Sequence, residues 1–309
     1  MHSFQIFSDG ACDLTLEAQN SYHISTVPFY VSFDGKTYMK ELKELTLEHF
    51  YHHLIEEKGF PKTSLPSVHD FVEAFTPALQ AGKDILSLHI THTLSGSMQS
   101  ALTAKLMLEE EFPEAKIHIV DSYNATGSQA LLLMEAARMQ QDGKSLEEVV
   151  SYLEQAKKDT RIIFMIGGLT HLQHGGRIGK IAALSSNILK IKPIIILRDG
   201  EIHVGGATRS RKKGIAELVK LTVEHFQKSG ENPADYIAMI GTTDLTEEIA
   251  PTEALLKAEL PQLELVSPLQ IGATIASHTG PGTTGICIAK RYECYCLLYT
   301  SPSPRDTER

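Results

Sequence analysis

Tryptophan is absent from this chain, cysteine occurs four times, and no apolar run approaches the ~20 residues a membrane-spanning helix needs. A basic excess is lacking as well: 29 Lys and Arg stand against 38 Asp and Glu, for a formal net charge of −9. That balance argues against a nucleic-acid binder or a general anionic-surface binder, either of which needs a basic face. Two of the cysteines, Cys294 and Cys296, fall in a closing stretch that shows no periodicity and ends in Ser and Pro. Cys12 and Cys287 alone are too few for a disulfide framework. Cys294-x-Cys296 lacks the second pair a zinc site requires, so no metal is expected. Residues 1–7 show no basic segment leading into a long apolar core, no secretory signal is read there, and a cytoplasmic location is expected.

What is present is ordinary globular material. Hydrophobic residues make up 42% and charged residues 22% of 309 positions, enough to build two domains. Short apolar runs at 4–7, 85–90 and 116–120 read as strands, and between and after them helical periods run over 46–58, 98–111, 126–141 and 146–158. Residues 27–33 alternate like a strand, and Asp34-Gly35 is expected to turn it back into 36–38. Ser67 with Asp70, and Ser145 with Glu148, are spaced as capping boxes. Strands alternating with helices imply a mainly parallel sheet covered on both faces.

Near residue 160 the style changes. Strands at 161–166 and 193–197, a hairpin turn at Asp199-Gly200, and later helices near 211–228 and 246–258 read as a second α/β domain with a mixed sheet. The expected organisation is therefore α/β with an N-terminal domain over 1–160, a C-terminal domain over 161–290, and a non-native tail over 291–309.

Polar residues recur where strands end: Ser8-Asp9, Thr93/Ser95/Ser97 and Asp121-Ser122. In open α/β sheets, ligands bind at the carboxyl ends of the strands. The segment Thr91-His92-Thr93-Leu94-Ser95-Gly96-Ser97 joins a buried strand to a helix, so its free N–H groups and the helix dipole favour an anion. Ser95 is equally suited to capping that helix. Thr63-Ser64-x-Pro66-Ser67 offers further hydroxyls before a helix, either as turn and cap chemistry or as donors that join Ser95 on one oxygen-rich group. His278 lies in a Ser-His-Thr-Gly-Pro-Gly loop, read either as structural or as a ligand contact.

Several tempting patterns carry less. His49, His52 and His53 sit among Glu and Lys and read as a solvated helix face rather than a metal site. Gly175-Gly176-Arg177-Ile178-Gly179-Lys180 lacks the spacing and the Ser/Thr of a nucleotide phosphate loop. Thr208-Arg209-Ser210-Arg211-Lys212-Lys213 places cations at a helix start, which opposes the dipole and favours a role towards an anion or an acidic partner. A serine-dependent esterase or acyltransferase could use Ser95 with His278 and Asp9 or Asp121, but the G-x-S-x-G elbow is missing.

Taken together, Ser8-Asp9-x-x-x-Asp13, Lys62-Thr63-Ser64-x-Pro66-Ser67, Leu94-Ser95-Gly96-Ser97-x-x-Ser100-Ala101, Val120-Asp121-Ser122, Leu169-x-x-Leu172-x-x-Gly175-Gly176-Arg177-Ile178 and His278-Thr279-Gly280-Pro281-Gly282 resemble the DegV family of bacterial fatty-acid-binding proteins. The resemblance spans residues 3–290, and departs at Gly10 and at His92-Thr93, where the family usually carries Ser. It implies two α/β domains with a long-chain fatty acid such as palmitate, stearate or oleate buried between them. Thr63 and Ser95 would hold the carboxylate with His278 close by, and Ser64, Gly96, Ser97 and Thr279 would complete the ligand site. The resemblance further implies that the protein has no chemistry of its own and no cofactor beyond the bound acid. It would act as the acyl-carrying subunit of a fatty acid kinase serving phospholipid synthesis, presenting the carboxylate to a separate ATP-binding subunit. Arg177, Arg209 and Arg211 would serve docking or phosphotransfer, and peripheral membrane contact is expected only during acyl exchange.

Overall fold

Apolar strands of the first half assemble in parallel. In the computed structural model, which describes residues 3–179, 181 and 191–296, β1 (Phe4–Asp9) is flanked by β2 (Ile24–Val27) and β6 (Asp84–His89), and β6 by β7 (Ile117–Asp121). All three pairings are parallel. Ile6, Leu86 and Leu88 are fully buried, as a sheet covered on both faces demands. The expected strand over 27–33 is split at Pro28-Phe29: its first part belongs to β2, and its second, β3 (Tyr30–Ser32), opens a separate small sheet. Proline has no N–H to continue a ladder, which explains the break. β3 pairs antiparallel with β4 (Met39–Lys40) and with β5 (Lys62–Ser64), where Val31 lies opposite Thr63.

The second half forms a mixed sheet. β8 (Arg161–Met165), β9 (Lys192–Arg198), β10 (Glu201–Thr208), β11 (Tyr236–Thr242) and β14 (Thr284–Lys290) pair antiparallel in the order β10-β9-β8-β14-β11, and the two-residue strands β12 (Glu264–Leu265) and β13 (Leu269–Gln270) add to β11 in parallel. The β9–β10 hairpin turns at Asp199-Gly200, both with positive φ, as a type I′ turn requires.

Helix α5 (Thr126–Gln141) lies between the two sheets. Its Ala130, Leu131, Leu132, Leu133, Ala136 and Ala137 are all fully buried, and one continuous core joins Ile6 and Leu88 of the first sheet to Met239 and Cys287 of the second. Gln129 and Glu135 are buried on it as well, so the helix is covered on nearly every face. Its first turn approaches β14 so closely that a side chain on Gly127 would meet Cys287 Sγ at 2.7 Å. Helix α6 (Leu146–Asp159), which starts on the expected Ser145/Glu148 capping box, packs beside it.

The stretch after Lys290, read from the sequence as lying outside the fold, is corrected at its start. Tyr292 and Tyr295 join the core, Tyr292 N–H donates to Glu135 at 2.9 Å, and Glu293 pairs with Arg138. Aperiodic sequence hid these two aromatic anchors. The rest of the expected tail, 297–309, and Lys180 lie outside the described residues.

Candidate functional site

A cavity of about 250 Å³ is lined from both halves. Phe29, Ile90 and Leu94 come from the first half, and Ile162, Phe164, Leu197, Ile275 and Cys287 from the second. Alternation along β8 turns Ile162 and Phe164 to the same side, the cavity side.

Its polar residues include a cluster at one end. Thr63, in β5, places Oγ1 2.8 Å from Nε2 of His278. His278 was expected in a loop, but it occupies the last turn of helix α10 (Ala273–Thr279). Burial, followed by the charge of Arg177, lowers its pKa to about 4, so the imidazole is neutral near pH 7. Its Nδ1 is buried without a partner. Ser95 lines the same cavity one residue before Gly96, the N-cap of the 15-residue helix α4 (Ser97–Glu111). Ser95 Oγ accepts from the Ser97 N–H at 3.2 Å. Arg177 crosses from the second half, donating Nε–H to the Leu94 carbonyl at 3.1 Å and Nη1–H to Gly175 at 2.8 Å. Two hydroxyls, a neutral imidazole, a guanidinium and a helix N-terminus thus gather where a carboxylate would be stabilised.

Outside this end lies a polar cleft of about 480 Å³, lined by His92, Thr93, Ser95, Gly96, Gly176 and Arg177 among others. Ser95 and Arg177 border both spaces.

The remaining expected site residues separate. Ser64 and Thr279 line the cavity, and Gly96 borders only the outer cleft. Ser97 lines neither; its hydroxyl is buried 3.5 Å from His89 Nδ1, whose ring contacts Asp9 at 3.3 Å. Arg209 is exposed and borders neither space. Arg211 grips Glu248 with both Nε and Nη2, and also donates to Gly282 O and Thr284 Oγ1, so its guanidinium is committed within the second half. No hydrolase triad assembles among the described residues. Asp121 holds His92 at 2.6 Å, Asp9 accepts from Ile90 N–H and Gln129, and neither carboxylate meets His278. His53 stacks on Phe33 with centroids 4.0 Å apart and pairs with Glu57.

Residues that sequence reasoning missed are those whose facing depends on packing: Phe29, Thr126, Thr274 and Thr283. Only the alternation of 161–165 held a readable signal, for Ile162 and Phe164.

Comparison with known proteins agrees in extent. Residues 3–291 match the sequence model of a family described as "Uncharacterised protein, DegV family". A DegV domain-containing protein of Clostridium perfringens is 34% identical over 288 residues, covering 93% of this chain and 97% of the relative. The crystal structure of a stearic acid-binding protein from Eubacterium ventriosum superposes with a TM-score of 0.89 at 35% identity, covering 94% of this chain and 99% of that one. A DegV-family protein from Thermus thermophilus, whose structure is described as one of fatty acid binding, is 30% identical with a TM-score of 0.82, covering 94% and 100%.

Proposed function

The chain belongs to the DegV family, and on that premise we propose that it binds a long-chain fatty acid in the cavity shared by residues 1–160 and 161–290, with the carboxylate at Thr63, Ser95 and His278 and the acyl tail along the apolar walls. The observation that carries this reading is the convergence of Thr63, Ser95, His278 and Arg177 at one end of an otherwise largely apolar space. Each buried methylene contributes ~0.8 kcal/mol to holding the tail. The polar end then fixes orientation, because a carboxylate buried without partners would be far too costly.

The protein carries the acid and does not transform it. His278 spends Nε2 on Thr63 and presents Nδ1 to no carboxylate, so among the described residues no base is set to activate the Ser95 hydroxyl. Arg177, at the border of cavity and cleft, is suited to meet a separate ATP-binding kinase subunit in the cytoplasm and to offset charge as the carboxylate is phosphorylated. Arg211 is assigned to holding the second half together. Native mass spectrometry of protein purified from bacteria tests the carrier reading: a bound C14–C18 acid is expected, and protein empty after incubation with palmitate or stearate overturns it. Covalent labelling of Ser95 by a fluorophosphonate, with ester turnover, would establish the hydrolase instead.

A further inference from the structure

One wall of the cavity is the face of the mixed sheet turned to α5, and its side chains stand in rows across the strands. Ile202, Leu197, Ile162 and Cys287 lie opposite one another on β10, β9, β8 and β14, and all four line the cavity. The next member of that row, Met239 on β11, is buried in the core, its sulfur 3.3 Å from where a side chain on Gly127 of α5 would begin. The neighbouring row is Phe164, Gly285 and Gly241 on β8, β14 and β11, and all three line the cavity. Gly241 is two residues from Met239 and shares its face of the sheet. Where β11 carries Met239 the row ends in packed side chain; where it carries Gly241 the cavity continues.

The two glycines differ in what a side chain would meet. At Gly285 a β-carbon would lie 2.8 Å from Cβ of Phe164, so packing alone excludes one. At Gly241 a β-carbon would meet nothing nearer than Ile271 Cγ1 at 3.7 Å, an ordinary contact. Gly241 is buried within β11 and its φ is not left-handed, so the backbone does not require glycine either. Glycine inside a strand costs stability relative to alanine, and it often marks a close approach of a ligand to the main chain. Neither conformation nor packing accounts for this one. What its missing side chain leaves is cavity.

The place is well removed from the polar end. Ile271, the residue a side chain at 241 would touch, also lines the cavity, and its N–H donates to Thr242 O at 2.9 Å. From Ile271 the chain passes into α10 and reaches His278 seven residues on, about 10 Å away at helical rise. With a carboxylate held at Thr63, Ser95 and His278, the part of the ligand that reaches Gly241 is tail.

We infer that Gly241 is a specificity-determining position for the acyl chain: its bare backbone admits the tail to the β11 side of the cavity, so that acids long enough to reach it bind in preference to short ones. The inference rests on the fatty-acid reading above and deepens it. Methylenes laid against β11 are removed from water, and a side chain at 241 takes that room from the ligand while displacing no part of the protein.

The test grows a side chain into this space in the full chain stripped of lipid, with stearate and octanoate as probes. Gly241→Ala is expected to unfold at or above the wild-type Tm and to bind stearate several-fold more weakly. Gly241→Val is expected to weaken stearate about tenfold or more, while octanoate, too short to reach β11, stays within about twofold. The alanine variant, whose methyl meets no clash, carries the comparison if the valine variant does not fold. Unchanged stearate affinity in the folded variants overturns the inference. So does an equal loss for both acids, which would set position 241 beside the carboxylate instead of the tail. Failure of stearate to bind the wild type would instead overturn the fatty-acid reading.

Discussion

Thr63 and His278, 215 positions apart, meet at 2.8 Å between the hydroxyl oxygen and Nε2. The contact joins the edge of the small sheet to the last turn of α10, and through α10 to the buried carboxyl of Glu41 at that helix's other end. On the proposed reading, ligand affinity and local stability are linked here.

Removing the hydroxyls should empty the carboxylate site. Hydrogen bonds to a charged group are worth about 1.5–3 kcal/mol each. Thr63→Ala/Ser95→Ala is accordingly expected to lower fatty-acid affinity by at least a hundredfold, read as lost lipid in native mass spectrometry and as a raised Kd. Undiminished loading would refute the anchoring role.

His278 makes stability depend on pH in a defined direction. Its folded pKa is lowered to about 4, chiefly by burial, against an ordinary value of 6.5. The unfolded chain binds the extra proton first, so stability is complete above about pH 6.5 and falls as pH drops towards 4. His225, half-buried and likewise lowered to about 4 chiefly by desolvation, acts in the same direction. Urea denaturation of lipid-free protein at pH 7 and pH 5 should show the loss, and His278→Gln should lose less than the wild type. An identical loss in both would assign the effect to His225 and the rest of the chain.

Glu41 is the remote cap of α10: its oxygens accept from the N–H groups of Ala273 and Thr274 and from the Thr274 hydroxyl. Glu41→Ala strands all three donors in a buried place and should cost about 2–4 kcal/mol. Because α10 carries His278, fatty-acid binding should weaken as well, whereas Glu41→Gln, which keeps an acceptor, should lose less of both. Thermal unfolding and a binding titration on the same samples would check this pairing of effects.

The close approach of α5 to β14 gives a reciprocal test. Gly127→Ala forces a methyl group against Cys287 Sγ and should destabilise by about 1–3 kcal/mol. Adding Cys287→Ala removes the obstructing sulfur and should recover part of that loss. Strict additivity in a double-mutant cycle would show that the two positions do not touch.

Where sequence and structure agree, the signals were local. Ser67 with Asp70 and Ser145 with Glu148 close the capping boxes their spacing announced, and α5 begins and ends where its period did. Asp199-Gly200 likewise made a turn chemistry that could be read directly. The hydroxyl-bearing segments around Thr63 and Ser95 and the His278 segment could be picked out locally, and all three line the cavity. What could not be read depended on contacts between distant segments. Ser97 turns inward to His89, and Arg211 is claimed by Glu248 37 positions away. Pro28 could have warned that residues 27–33 are two strands, since it interrupts any ladder it enters.

Helix α5, buried between the two sheets, also bears on how a ligand gets in. Swinging the halves apart like a clamshell would peel that helix from one sheet and wet Leu131, Leu132 and Leu133 together. Each fully buried leucine so exposed forfeits about 1.5–3 kcal/mol. On the proposed fatty-acid reading, a greasy guest is then expected to thread lengthwise past Ser95 and Arg177, which border both the cavity and the outer cleft, while the body of the protein stays closed.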